Sequence, residues 1–186
     1  MLAGVLRLPK LVEADPRGPE LLRALAARRA PLWPGSDIEV PTARLTPALA
    51  DALRSARSAG QVVRGLEAAE QALAAEQRGL RLADDRGAAP RGERVSRLLL
   101  LAGDGAERFY RQVAALLRRH GVRVLAVRLD VDAEALGSLL FGPGRRARLL
   151  LLERKQAVAS ALLAIAAQGD AAAENGAPAP APDPAR

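Results

Sequence analysis

Leu98-Leu99-Leu100-Leu101-Ala102 and Leu149-Leu150-Leu151-Leu152 are unbroken apolar runs bounded by polar or turn residues. Runs of this length without polar alternation are strands buried on both faces. Val122-Arg123-Val124-Leu125-Ala126-Val127 reads as a third such strand. The segments between them carry apolar residues at helical spacing. A helix is predicted from Ala106 to His120, stopped by Gly121, and a short one from Ala133 to Phe141. Gly142-Pro143-Gly144-Arg145-Arg146 is a turn, and Gln156 to Gln168 a closing helix. Strands alternating with helices predict a largely parallel sheet covered on both sides.

Upstream, Thr46-Pro47 opens a helix as N-cap and first helical position, with Leu49, Leu53 and Ala56 on its apolar face. It ends at Gly60. A short extended piece, Gln61 to Arg64, leads to Gly65, and a second helix runs from about Leu66 to Leu80. Two glycines bracketing four residues give two sharp changes of direction. They also leave free N–H groups at the start of the second helix, a setting suited to an anion such as a phosphate. Further upstream, Pro19 to Arg29 is a short helix, broken by Pro31-Leu32-Trp33-Pro34-Gly35. Asp37 to Val40 alternates as an edge strand would, and Trp33 is expected to pack this arm onto the main domain. Ala83 to Arg94 is polar, rich in Gly and Pro, and is expected to be a mobile loop. Ala171 to Arg186 is Ala/Pro-rich and is expected to be disordered. The predicted organisation is therefore an N-terminal arm (1–45), an α/β/α domain (46–168) and a tail (169–186).

The chain has no cysteine and one histidine, which argues against disulfides, a thiol nucleophile, and a zinc or histidine-based metal centre. No apolar run approaches the roughly 18 residues of a membrane span, and Arg7 and Lys10 interrupt the apolar start as a signal peptide would not. A cytoplasmic location is expected. The net charge of +7 points to polyanions, although 26 of the 28 basic residues are Arg, a bias that a GC-rich genome also produces. The surplus is local: residues 46–168 carry 20 basic and 13 acidic side chains, so a nucleic-acid face belongs there.

Several constellations have a structural reading that outweighs the chemical one. Gly103-Asp104-Gly105 follows a strand and opens a helix, but it lacks the third glycine of a dinucleotide fingerprint and the Gly-Lys-Ser/Thr of a P-loop. It is read as a tight turn with Asp104 capping the helix behind it. Asp130, Asp132 and Glu134 form an acidic cluster that a magnesium ion could use, but Asp132 is better placed as a helix cap. Arg108, Arg111 and Arg118 are read as a solvated helix face, and His120 as a partly charged imidazole at a helix C-terminus. The serines have no recognisable base partner. Catalysis, metal and cofactor are therefore not expected. The strongest basic loop is Gly142-Pro143-Gly144-Arg145-Arg146-Ala147-Arg148, whose arginines present forks suited to phosphate oxygens.

Ala56-x-x-Ala59-Gly60-x-x-Val63-x-Gly65 followed by a helix resembles the signature of the L-seven-Ae / L-thirty-e ribosomal protein family. Leu98 to Ala102 with Asp104, His120 to Val124, and Glu134-Ala135-Leu136-Gly137 with Gly142 and Arg145-Arg146 resemble its later segments in order. The likeness covers about residues 46–168 and is nearest the bacterial YlxQ-like branch. It implies a three-layer α/β/α sandwich that binds kink-turns and related bends of structured RNA, ribosomal RNA or the ribosome among the partners. The surface it implies joins Gln61, Arg64, Gly65, Glu67 and Gln71 to Gly142, Arg145 and Arg146. Glu67, Ala68 and Gln71 stand where many kink-turn binders carry Asn, Glu and Lys. A base-reading amide and a phosphate-binding lysine are thus absent from the first turn. The alternative is a protein-interaction scaffold that keeps the fold without specific RNA recognition.

Overall fold

The structure is a computed structural model and describes residues 6–86 and 94–168. The tail expected at 169–186 and the middle of the expected 83–94 loop lie outside the described residues.

The helices are α1 (Lys10–Glu13), α2 (Gly18–Ala27), α3 (Pro47–Ser58), α4 (Leu66–Asp84), α5 (Glu107–His120), α6 (Ala133–Phe141) and α7 (Lys155–Ala166). The strands are β1 (Arg29–Pro31), β2 (Glu39–Ala43), β3 (Val62–Arg64), β4 (Arg97–Leu101), β5 (Val124–Leu129) and β6 (Leu149–Leu152). They form one six-stranded sheet in the order β1-β2-β5-β4-β6-β3.

The two leucine strands lie side by side, with Leu98 opposite Leu152, Leu99 opposite Leu151, Leu100 opposite Leu150 and Leu101 opposite Leu149. All eight are buried, and alternation along the strands divides them between two cores. Leu98, Leu100, Leu150 and Leu152 pack with α1, α2, α3, α6 and α7. Leu99, Leu101, Leu149 and Leu151 pack with α4 and α5, together with Leu32 and Val40. The protein is an α/β/α sandwich, as expected.

The sheet is mixed rather than largely parallel. β4 and β2 run parallel to β5, while β6 is antiparallel to β4 and β3 antiparallel to β6. Apolar runs report burial on both faces and carry no information on direction. What sets the direction of β6 is the shortness of α6. Nine residues do not carry the chain back along the sheet. β6 therefore starts at the end where β5 finishes, with Leu149 and Arg128 both paired to Leu101.

The N-terminal segment is more than an arm. β2 joins β5 inside the sheet, and β1, unforeseen between a helix end and a proline break, forms the outer edge antiparallel to β2. Leu8, Val12, Leu21 and Leu25 are buried in the first core. Trp33 is half-buried against the second core and joins this segment to the domain. Thr46 caps α3 by accepting a hydrogen bond from the Leu49 N–H, 3.3 Å. α4 continues four residues past its expected end, from Leu80 to Asp84. A 3-10 turn over Gly121–Arg123 delays β5 to Val124.

One buried hydroxyl fixes the turn after β4. Tyr110 of α5 donates to the Ala102 carbonyl at 2.7 Å and accepts from the Gly105 N–H at 3.1 Å. Replacing Tyr110 by Phe keeps the ring and strands both backbone groups, at a cost of about 1–3 kcal/mol. A lower urea midpoint with an unchanged denaturant slope is the expected result; an unchanged midpoint shows that the turn does not depend on the hydroxyl.

Candidate nucleic-acid interface

The first half of the interface is built by two glycines that need left-handed φ. α3 ends where the Gly60 N–H donates to the Arg57 carbonyl and the Gln61 N–H to the Ala56 carbonyl. Gly60 has φ 66° and Gly65 has φ 93°, and a Cβ at either position would meet nothing within 4 Å. Backbone conformation, not space, is what calls for glycine at both. Between them β3 pairs with β6, and the Gly65 N–H donates to the Leu149 carbonyl at 2.9 Å. Gly65 is the N-cap of α4 and has no side chain to satisfy the first turn of that helix, so its N–H groups keep the positive end of the helix dipole uncapped. Gln61 is half-buried and its carbonyl accepts from the Glu153 N–H at 3.2 Å. Arg64, Glu67 and Gln71 are exposed.

The second half hangs on α6. Asp132 caps it through the Ala135 N–H at 2.7 Å, as expected. Asp104, expected to cap α5, instead accepts from the Ala133 N–H at 2.9 Å and so fixes the start of α6 from the neighbouring loop. Beyond Phe141 the chain turns at Gly142 (φ 93°) and Gly144 (φ 72°) and folds back. The Ala147 N–H then donates to the Ala133 carbonyl at 2.7 Å. The return path crosses α6 so closely that a Cβ on Gly137 would lie 2.1 Å from the Arg145 carbonyl oxygen. Buried Ala147 anchors the loop, and Arg145, Arg146 and Arg148 on either side of it are exposed.

The fold brings the two halves together. Arg64 is paired with Leu150, and its guanidinium lies over the ring of Phe141, 4.9 Å from the centroid, next to Gly142. Arg57 lies over the same ring at 5.1 Å. The surface expected from sequence included neither Arg57 nor Phe141; the available signal was a Phe directly before a Gly-Pro-Gly loop and an Arg one turn before Gly60.

Apart from Arg108, which has no acidic partner within ion-pair distance among the described residues, charge pairing is denser on the arginine-bearing face of α5. There Arg111 pairs with Glu107, Arg118 with Asp37 and Arg119 with Glu70, and Arg111 also covers Trp33. Among the described residues Arg57, Arg64, Arg145 and Arg148 have no acidic partner within ion-pair distance, whereas Arg146 reaches Asp104 at 3.3 Å.

The other constellations are structural. Gly103 donates to the Val131 carbonyl at 2.7 Å and Gly105 to Tyr110, so neither N–H is left for a phosphate. Asp130 accepts from the Leu45 N–H at 2.8 Å. Among the described residues no group of three His, Asp or Glu side chains is arranged to hold a metal ion. At His120, burial, and then the charge of Arg119, lower the pKa, while Glu70 and Glu76 act in the opposite direction.

No protein-family model matches the chain, and no curated protein matches it. Among solved structures, "The structure of a protein with unknown function from Bacillus halodurans C" aligns with a TM-score of 0.42 at 16% identity, over 66% of this chain and 99% of the other. A likeness that distant says nothing about activity.

The crossing at Gly137 gives a paired test. Gly→Ala inside a helix gains about 1 kcal/mol where nothing interferes, and Gly79 of α4 has nothing within 4 Å of an added Cβ. Gly79→Ala is expected to raise the urea midpoint. Gly137→Ala is expected to lower stability by about 1–3 kcal/mol, because the clash is with backbone and outweighs the propensity gain. Two variants that shift alike would show that the loop does not cross α6 so closely.

Proposed function

We propose that the chain is a non-catalytic, cytoplasmic RNA-binding protein that grips structured RNA, ribosomal RNA and the ribosome being the foremost candidates. The observation that carries this reading is the set of arginines without acidic partners, Arg64, Arg145 and Arg148, gathered with the uncapped start of α4 at one end of the sheet. Gln61, Gly65, Glu67, Gln71, Gly142 and Arg146 complete the surface. Exposed guanidinium groups without acidic partners can exchange counterions for phosphates at little cost in broken ion pairs. The turn backbone brings them near the start of α4, where phosphate is favoured. The resemblance to the L-seven-Ae / L-thirty-e family supports the same surface. No metal or cofactor enters this reading. Among the described residues no helix is long and apolar enough to cross a membrane, which is compatible with the proposed location.

The scaffold reading has one observation in its favour. Arg146 is engaged by Asp104, and the exposed residues of α4 at this face, Glu67 and Gln71, add no positive charge. The two readings separate under salt. With Arg145→Ala and Arg146→Ala combined, filter binding of cellular RNA is expected to weaken. The slope of log K against log salt is expected to flatten by about one to two, at roughly 0.7–0.9 per phosphate lost. A scaffold binds RNA weakly before the substitutions and shows the same slope after them.

A further inference from the structure

We propose that Arg57 and Arg64, held in place by Phe141, form a clamp for a single phosphate group. The ligand is a backbone phosphate of bound RNA, and in this the clamp rests on the RNA-binding reading. The clamp itself is built from three elements that the RNA surface drawn from sequence does not combine. Arg57 is in the last turn of α3, Arg64 ends β3 and Phe141 ends α6.

The guanidinium carbons lie 5.1 and 4.9 Å from the centroid of one ring, so they are separated by no more than the sum of those distances. That is within the screening length of about 10 Å at 0.1 M salt. Two like charges are thus kept in mutual reach, and among the described residues neither has a carboxylate partner. Several arginines elsewhere do have an acid against them: Glu107 and Glu70 beside α5, and Glu76 between Arg97 and Arg123. Covering a half-buried Phe with arginine stems is a common packing device and needs only one of them. Two on the same ring, each exposed and each lacking an acid, leave a charge that an anion of two or more oxygens can neutralise with forked hydrogen bonds. The geometry also distinguishes phosphate holding from base stacking. The π surface of Phe141 is already in use by the protein's own guanidinium groups, so Phe141 is a positioning residue for the clamp.

The turn between the two arginines makes the arrangement specific. Arg57 sits at a helix C-terminus, where a cation is favoured. Gly60 reverses the chain so that Arg64, seven residues later, returns to the same ring. The hydrogen bonds from Gly60 and Gln61 back onto α3 fix that return.

The test uses the full chain with inorganic pyrophosphate and, separately, a structured RNA. The Nε–H signals of Arg57 and Arg64 are followed by NMR as pyrophosphate is added, and RNA affinity is measured for Arg57→Ala, Arg57→Lys, Arg64→Ala, the Arg57/Arg64 double alanine, Phe141→Leu and Phe141→Tyr. Both signals are expected to move together and to saturate. Arg57→Ala and Arg64→Ala are each expected to weaken RNA binding about tenfold, the worth of about 1.4 kcal/mol. The double variant should weaken it by much less than the product of the singles, because the pair holds one phosphate. Phe141→Tyr should retain binding and Phe141→Leu should lose it with little change in urea midpoint. Unmoved signals, with Arg57→Ala binding RNA like the natural chain, overturn the clamp and leave the RNA-binding reading standing. Signals that titrate with pyrophosphate while the natural chain binds no RNA keep the clamp and overturn the RNA-binding reading. Singles that multiply in the double variant overturn the shared phosphate.

Discussion

Everything in this fold follows from the need to bury both faces of two adjacent all-leucine strands. Leu98 to Leu101 and Leu149 to Leu152 are in register, and each face of the pair presents four leucines. Each buried leucine contributes roughly 1.5–3 kcal/mol, so either face left in water would cost an amount comparable with the whole net stability of a typical domain, about 5–15 kcal/mol. Helices must therefore cover both sides. α7 with α3 and α2 serves one, and α4 with α5 the other. The edges are handled differently. β1 and β3 are three residues each, too short to template another sheet.

That central pair also decides where chemistry can sit. Because β6 runs against β4, the loop before β6 lies at the same end as the turn after β4. The edge strand β3 then delivers Gly65 to Leu149 at that end. One end of the sheet thus collects the start of α4, the 142–148 loop and the end of α6. The clamping contacts are backbone ones, Gly65 to Leu149 and Ala147 to Ala133, so the exposed arginines ride on a fixed frame. Three acids at the same end are used internally. Asp104 and Asp132 each cap α6, and Asp130 holds the chain at Leu45. With those carboxylates committed, positive charge is left over here.

The sequence made the elements legible where one local rule acts alone. α6 and β6 have the boundaries that periodicity and flanking turns indicate, and the Thr46-Pro47 start of α3 follows from capping chemistry. Strand direction was not legible, since burial on both faces looks the same in either direction. β1 was hidden because three residues with a proline at the end carry no alternation; only pairing with β2 makes them a strand. Asp104 caps a helix 29 residues away rather than its neighbour, and no local pattern reports that. At the candidate interface the glycines were legible because left-handed φ leaves a mark on residue choice. Arg57 and Phe141 were not, because their significance lies in three elements meeting at one ring.

The first turn of α4 bears on how the proposed anion binding would be divided. A helix start with no capping side chain favours negative charge, but here Glu67 already stands in that turn and supplies some of it. A phosphate approaching the N–H groups of α4 meets that carboxylate, and the dipole cannot be the main source of attraction. On the proposed reading, the attraction comes from the arginines around it. Arg64 precedes the helix, and Arg145 and Arg148 stand on the facing loop. This division favours holding a backbone over reading bases. Guanidinium forks accept any phosphate, whereas Glu67 and Gln71 offer no cation and one amide between them. On the proposed reading, such a protein selects its partner by the shape in which phosphates are presented, and the backbone-anchored loops at this end of the sheet are suited to registering shape.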